Sequence, residues 1–169
     1  FTDGMAQAVY ENDVARVTEL MLPIFANSSI DLMTAINTDG QEIITLGLNS
    51  ESGKIQKQQG QDFSVLPIVQ KTLKGKPDSQ GDKFVEIWKT KEGQAIMFTS
   101  APLIDSENRS VGVMMVGSYL DSVLKALKDQ SLTDLILLDD EGELISTTLG
   151  QDEVGFQAVI DLAAGQDPA

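Results

Sequence analysis

An α+β fold with mostly antiparallel strands is the class that this 169-residue chain predicts, and two features carry the prediction. Apolar, β-rich segments come in pairs joined by turn clusters: Asn37-Thr38-Asp39-Gly40, Asp105-Ser106-Glu107-Asn108-Arg109 and Asp139-Asp140-Glu141-Gly142. Such clusters are hairpin signals, because glycine tolerates positive φ at little cost, and hairpins imply antiparallel sheet. Helical periodicity appears before and after the paired segments, so the order helix, hairpin, helix occurs twice. With 41% hydrophobic and 22% charged residues, the composition supports a real core.

Residues 3–25 read as one amphipathic helix, with Met5, Ala8, Val9, Val17, Leu20, Met21 and Ile24 at three- and four-residue steps. Its length of roughly 35 Å exceeds that of most small-domain helices, and Asn27-Ser28-Ser29 ends it. Ile30–Ile36 and Gln41–Leu48 form the first hairpin, and the polar stretch 49–61 reads as loop. Residues 62–73 are expected to be helical, with Phe63, Leu66, Val69 and Leu73 on one side, and Lys74-Gly75-Lys76-Pro77 stops them. Phe84–Trp88 is a strand and Lys89–Gly93 a turn; Ala95–Ile104 and Val111–Val116 are longer strands. A helix over 121–129, strands over 132–138 and 143–148, and a helix over 155–164 complete the reading. The two Gly-containing hairpins match at an offset of 102 residues: Ile36 with Leu138, Gly40 with Gly142, Ile43 with Ile145 and Thr45 with Thr147.

Composition excludes whole classes of function. Neither Cys nor His occurs, which removes disulfides, thiolate chemistry, the usual general base and the commonest zinc ligand. A net charge of −14, from 26 acids and 12 bases, argues against nucleic acid. Ten of the acids and no base follow Lys128, a solvated acidic face; Asp139-Asp140-Glu141-Gly142-Glu143 lacks the alternating spacing of a calcium loop, so no metal is expected. No Gly-rich phosphate loop or nucleophile motif is present, and no enzyme activity or cofactor is expected. No apolar run approaches the ~20 residues of a membrane helix. A chain that starts at Phe1 and ends at Asp167-Pro168-Ala169 reads as a segment of a longer protein, with any membrane-spanning part outside it.

Several pieces in order resemble the Cache sensor domains, the extracytoplasmic PAS-like modules of bacterial receptors. They are the long first helix, the hairpin Ala35–Gly40, the helix end Val69–Lys76, and Thr99–Asp105 followed by Val111-Gly112-Val113. The resemblance implies a PAS-like central antiparallel sheet of about five strands, the N-terminal helix on one side and a small-molecule pocket on the other. It assigns residues 1–130 to a membrane-distal sensor domain and 131–169 to the start of an incomplete second PAS-like lobe.

The implied pocket lies over the sheet, and Trp88, Phe98, Ser100, Tyr119 and Phe63 are the ligand contacts it suggests. Amino-acid-binding members of the family hold the ligand carboxylate with an Arg and the ammonium with an Asp. Here no Arg lies between Arg16 and Arg109, and Gly117-Ser118 stands at the Asp position, so an α-amino acid is not expected. A carboxylate could instead use Lys83, Lys89 or backbone amides. The resulting expectation is the extracytoplasmic ligand-sensing domain of a histidine kinase, nucleotide or diguanylate cyclase, or chemoreceptor. Its partners would be an unidentified small molecule and a second copy through the N-terminal helix. The alternatives are a dimerising scaffold without ligand and a cytoplasmic PAS- or roadblock-like interaction domain.

Overall fold

The computed structural model describes residues 4–49, 52–75, 81–90, 93–150, 156–163 and 165. The expected stop at Lys76-Pro77, the turn residues Lys91-Glu92 and the ends of the last helix at residues 155 and 164 lie outside them. The chain divides into two compact units, one of residues 1–87 with 97–118 and one of 88–96 with 119–169.

The first unit holds most of a six-stranded antiparallel sheet, ordered β3-β2-β1-β6-β5-β4. Its strands are β1 (Leu32–Asn37), β2 (Glu42–Leu48), β3 (Ile55–Gln58), β4 (Phe84–Lys89), β5 (Ala95–Ile104) and β6 (Ser110–Tyr119). The extra strand beyond the five expected is β3, inside the stretch read as loop. All four of its residues are exposed, so no hydrophobic alternation marks it; backbone pairing with β2, from Thr45 opposite Gln58 to Leu48 opposite Ile55, defines it instead.

The expected single helix over 3–25 is two: α1 (Met5–Tyr10) and α2 (Val14–Ala26). Asn12 takes the left-handed conformation at φ 53, and the Asp13 carboxylate accepts the Arg16 N–H at 3.0 Å, capping α2. Short polar side chains bond nearby backbone in place of the helix ladder, which is why the break falls here. Both helices nonetheless face one core. Met5, Val9, Val17, Met21 and Phe25 pack with Met33 and Ala35 of β1, Ile44 and Leu46 of β2, and Met114 of β6. The register explains the grouping, since Met33 lies opposite Leu46, and Ala35 opposite both Ile44 and Met114. Residues directly opposite share a face of the sheet, so one apolar layer spans three strands. At Gly112 of β6 a Cβ would lie 2.5 Å from both the Ile36 carbonyl oxygen and Val9 Cγ1. Only glycine permits α1 to approach the sheet so closely.

On the other side of β1 and β2, Thr34, Thr45 and Glu42 bring polar groups together. Thr34 and Thr45 lie opposite each other with their hydroxyls 2.8 Å apart. Thr45 donates to the buried Glu42 carboxylate, whose second oxygen accepts the Gln61 N–H at 2.8 Å. Every polar atom in this group has a partner, which offsets the cost of burying a carboxylate.

Four hairpins share one turn chemistry. Asn37, Thr90, Asp105 and Asp139 each accept, through the main-chain oxygen, an N–H from the residue three ahead: Gly40, Gly93, Asn108 and Gly142. Those fourth residues all have φ between 62 and 85. The first side chain then accepts from backbone N–H groups across the turn, as Asn37 does from Asp39 and Gln41, and Asp139 from Glu141 and Glu143. Thus the hairpins at Asn37 and Asp139, paired by the 102-residue offset, have the same turn geometry.

The second unit contains α4 (Leu120–Ser131), the two-stranded sheet β7 (Ile136–Leu138) with β8 (Leu144–Thr147), and α5 (Phe156–Ala163). The strand expected from residue 132 begins only at 136, because Leu132 caps α4 in the left-handed conformation at φ 56. Asp121 accepts from the Ser146 hydroxyl at 2.6 Å, and Lys128 bonds both Asp134 and the Thr148 carbonyl, so α4 is tied to the hairpin.

Candidate ligand-binding site

A cleft of about 500 Å³ opens in the first unit between α3 (Pro67–Leu73) and β4. This falls within the 300–1,000 Å³ usual for small-molecule sites. The helix begins where Pro67, at its first position, supplies a fixed φ and lacks only an N–H that would be unpaired anyway. Its approach is held by the β1–β2 turn. The Phe63 N–H donates to the Gly40 carbonyl at 2.9 Å, and Gly40, at φ 79, leaves no room for a Cβ, which would meet the Ser64 Cα at 2.4 Å. Hydrogen bonds from Ser64, side chain first and backbone next, hold the Asp62 carboxyl below the usual carboxylate range.

Underneath, α3 is fixed by a buried pair of hydroxyls. Thr72 lies 2.6 Å from Ser100 of β5 and also donates to the Ile68 carbonyl at 2.7 Å; both side chains are fully buried. Since the one Thr72 proton goes to Ile68, Ser100 must be the donor between them.

The walls of the cleft are Pro67, Ile68 and Lys71 from α3, Lys83 just before β4, and Phe84, Val85 and Glu86 at its start. Pro67 and Lys71 are four residues apart and so lie on one side of the helix. Strand β4 is an edge strand in which Phe84, Glu86 and Trp88 are half-buried and the intervening residues exposed. Lys83 pairs with the neighbouring Asp82 at 2.7 Å in an exposed contact, and the Lys83 hydrogen bond holds the Asp82 carboxyl low. Among the described residues no acid lies within ion-pairing distance of Lys71. The lining therefore combines an apolar floor, two ammonium groups and one carboxylate.

None of the five residues expected as ligand contacts is among these walls. Phe98 and Ser100 stand two apart on β5, both buried, with Ser100 bonded beneath α3. Phe63 is half-buried in the segment leading to α3, while Trp88 and Tyr119 belong to the second unit and are half-buried. Of the two lysines considered for a carboxylate, Lys83 lines the cleft, whereas Lys89 reaches the Leu144 carbonyl at 3.4 Å within the second unit. Lys71, Phe84 and Glu86 were not singled out by sequence. The available signal was the lysine density around them: residues 71–91 hold six of the twelve bases.

The second unit has its own smaller cleft of about 300 Å³, between Gly142–Leu144 and the α5 residues Phe156, Gln157, Ile160 and Asp161. Carboxylate oxygens of Asp139, Asp140 and Glu141 lie within 4.8 Å of one another on the adjoining turn. The Asp139 carboxylate is already engaged there by two backbone N–H groups.

A helix-covered six-stranded antiparallel sheet with a cleft beside α3 defines a PAS-like sensor module. The chain belongs to the double-Cache family described as the double sensory domain of two-component sensor kinases, whose model matches residues 2–161. Solved structures agree in fold. A sensory box/GGDEF family protein domain from Vibrio parahaemolyticus superposes with a TM-score of 0.68 at 10% identity, covering 97% of this chain and 68% of that one. The sensor domain of the V. cholerae histidine kinase DctB gives 0.61 at 12% identity, with 96% and 62% covered. The ligand-binding domain of the Campylobacter jejuni chemoreceptor Tlp3, in complex with 4-methylisoleucine, gives 0.54 at 13% identity, with 92% and 57% covered. The chain thus spans 57–68% of the length of these structures. No curated protein matches it in sequence.

Proposed function

We propose that this chain is the extracytoplasmic ligand-sensing part of a bacterial transmembrane signalling protein and binds a small molecule in the α3–β4 cleft. The cleft carries the reading: it has small-molecule size and stands on a helix pinned to the sheet by Thr72 and Ser100. The output would be a histidine kinase, a nucleotide or diguanylate cyclase, or a chemoreceptor. The action is recognition rather than catalysis. Strand β6 passes into α4 with no intervening residue, a covalent route for a shift in the sheet to reach the second unit. A ligand drives such a shift only by binding two arrangements with different free energy.

In this proposal residues 1–130 form the membrane-distal sensor domain, and 131–169 begin a second PAS-like lobe. The shared turn geometry at Asn37 and Asp139 and the partial coverage of the relatives support that division. The competing reading is a scaffold that dimerises through its N-terminal helices. Those helices commit Met5, Val9, Val17, Met21 and Phe25 to the core, leaving Tyr10 and Val14 as their exposed large apolar side chains.

A thermal-shift panel of carboxylates, amines, sugars and divalent cations tests the proposal. A ligand at 100 times its Kd adds about 2.7 kcal/mol to stability, and that gain must weaken on substitution of Phe84→Ala. Absence of stabilisation across all four classes would favour the scaffold.

A further inference from the structure

We infer that the α3–β4 cleft takes a small organic monocarboxylate, its carboxylate between Lys71 and Lys83 and its carbon body against Ile68 and Phe84. This depends on the cleft being the ligand site proposed above, and adds the chemical class of the ligand.

The chain carries −14 overall, yet residues 71–91 hold Lys71, Lys74, Lys76, Lys83, Lys89 and Lys91 against Asp78, Asp82 and Glu86. Of these, Lys71, Lys74 and Lys83 against Asp82 and Glu86 are the described charges of the first unit, a net +1, and Lys71, Lys83 and Glu86 line the cleft. A basic segment in an acidic chain concentrates small anions at its own surface while the remainder repels them. Lys71 on α3 and Lys83, just before β4, contribute one lysine from each wall. The Lys83–Asp82 contact is exposed on both sides, at 66% and 50%, so a ligand carboxylate can replace Asp82 at little cost. Lysine is a point charge on a flexible stem and suits a single carboxylate without the fixed fork of arginine, which this site lacks. Below the lysines, Ile68 is buried and Phe84 half-buried, providing apolar area for a carbon skeleton that an inorganic ion cannot use. Glu86 on the β4 wall disfavours a second negative group, so one carboxylate fits where a dicarboxylate is repelled.

The test uses the full chain with defined probes. Sodium butyrate and sodium benzoate represent the class; sulfate and phosphate are inorganic anions, succinate a dicarboxylate, and butanol and butylamine the neutral and cationic matches of butyrate. Binding is read by amide chemical shifts and titration at constant ionic strength. Expected is saturable binding of butyrate or benzoate with shifts at residues 67–71 and 83–86, weaker for succinate and absent for sulfate, phosphate, butanol and butylamine. Lys71→Gln and Lys83→Gln should each weaken the carboxylate by about three- to tenfold, the range of an interaction with one exposed charge. Lys54→Gln and Lys57→Gln, on the opposite side of the sheet order, should leave it unchanged. Three results would overturn the inference: inorganic anions binding as well as the carboxylates, equal affinity in the double lysine variant, or preference for butanol or butylamine. In that last case a ligand still occupies the cleft, so the sensor reading stands and only the ligand class fails; no binding by any probe or panel compound removes both.

Discussion

Replacing Gly112 by alanine probes the closest approach between the helices and the sheet. The new Cβ would sit 2.5 Å from the Ile36 carbonyl oxygen and 2.5 Å from Val9 Cγ1, whereas ordinary contacts begin near 3.4 Å. Each neighbour must retreat by about 0.9 Å. Ile36 belongs to β1, paired along its length with β6, and Val9 is fully buried in α1, so neither can swing into solvent. Overpacking of this kind costs about 1–3 kcal/mol, and a weakened ladder hydrogen bond adds about 1 kcal/mol. Alanine recovers about 0.5–1 kcal/mol through lower backbone entropy in the unfolded chain. A net loss of about 1–3.5 kcal/mol follows, equivalent to a fall in Tm of about 2–14 °C for a chain of this size. Urea denaturation followed by circular dichroism measures it, with the slope expected to stay constant. Gly53→Ala is the control, since its φ of 64 is left-handed but nothing lies within 4 Å of the added carbon. A Gly112→Ala loss below 0.5 kcal/mol, or one smaller than that of Gly53→Ala, would refute the packing of α1 on β6.

The hydroxyl pair beneath α3 should respond asymmetrically. Thr72→Val orphans the Ser100 proton and should cost about 1–3 kcal/mol, whereas Ser100→Ala removes the donor while Thr72 keeps its Ile68 acceptor, costing about 1 kcal/mol. In a double-mutant cycle Ser100→Ala should be neutral or stabilising in the Thr72→Val background; additive losses would contradict the pair, and a larger loss for Ser100→Ala than for Thr72→Val would contradict the assigned donor. For pH, the lowered carboxyls of Asp62, Asp105 and Asp134 contribute stability above the unfolded carboxylate pKa of about 3.9, lost as pH falls through their lower folded values. The Tm should therefore drop below about pH 4 and stay nearly flat from about pH 5.5 to 7, since no His titrates there; a marked change inside that flat range would contradict this.

Hairpins were legible because their determinants are local. An Asn, Asp or Thr that accepts across the turn and a Gly or Asn able to hold positive φ are written within five consecutive residues, so the turns at Asn37, Asp105 and Asp139 could be read directly. The broken first helix was concealed because its apolar positions continue across the break, from Val9 to Val17, while Asn12 and Asp13 interrupt only the backbone. Strand β3 gave no side-chain signal at all, being held by main-chain bonds to β2. The candidate site was the least legible part. Among the aromatic and hydroxyl residues of the longest strands, Phe98 is buried and Ser100 bonds Thr72 of α3. The cleft is made by the flank of a seven-residue helix and the start of an edge strand. Which flank of α3 faces β4 depends on the Thr72 contact and the Gly40–Ser64 approach, both of which are tertiary.

The central claim is that the α3–β4 cleft is where a small molecule is sensed. Amide chemical-shift mapping of any compound that stabilises the chain tests it most directly. The largest changes should fall at residues 67–71 and 83–86 and diminish in Phe84→Ala. Changes centred instead on Gly142–Leu144 and Phe156–Asp161, or scattered without saturation, would contradict it.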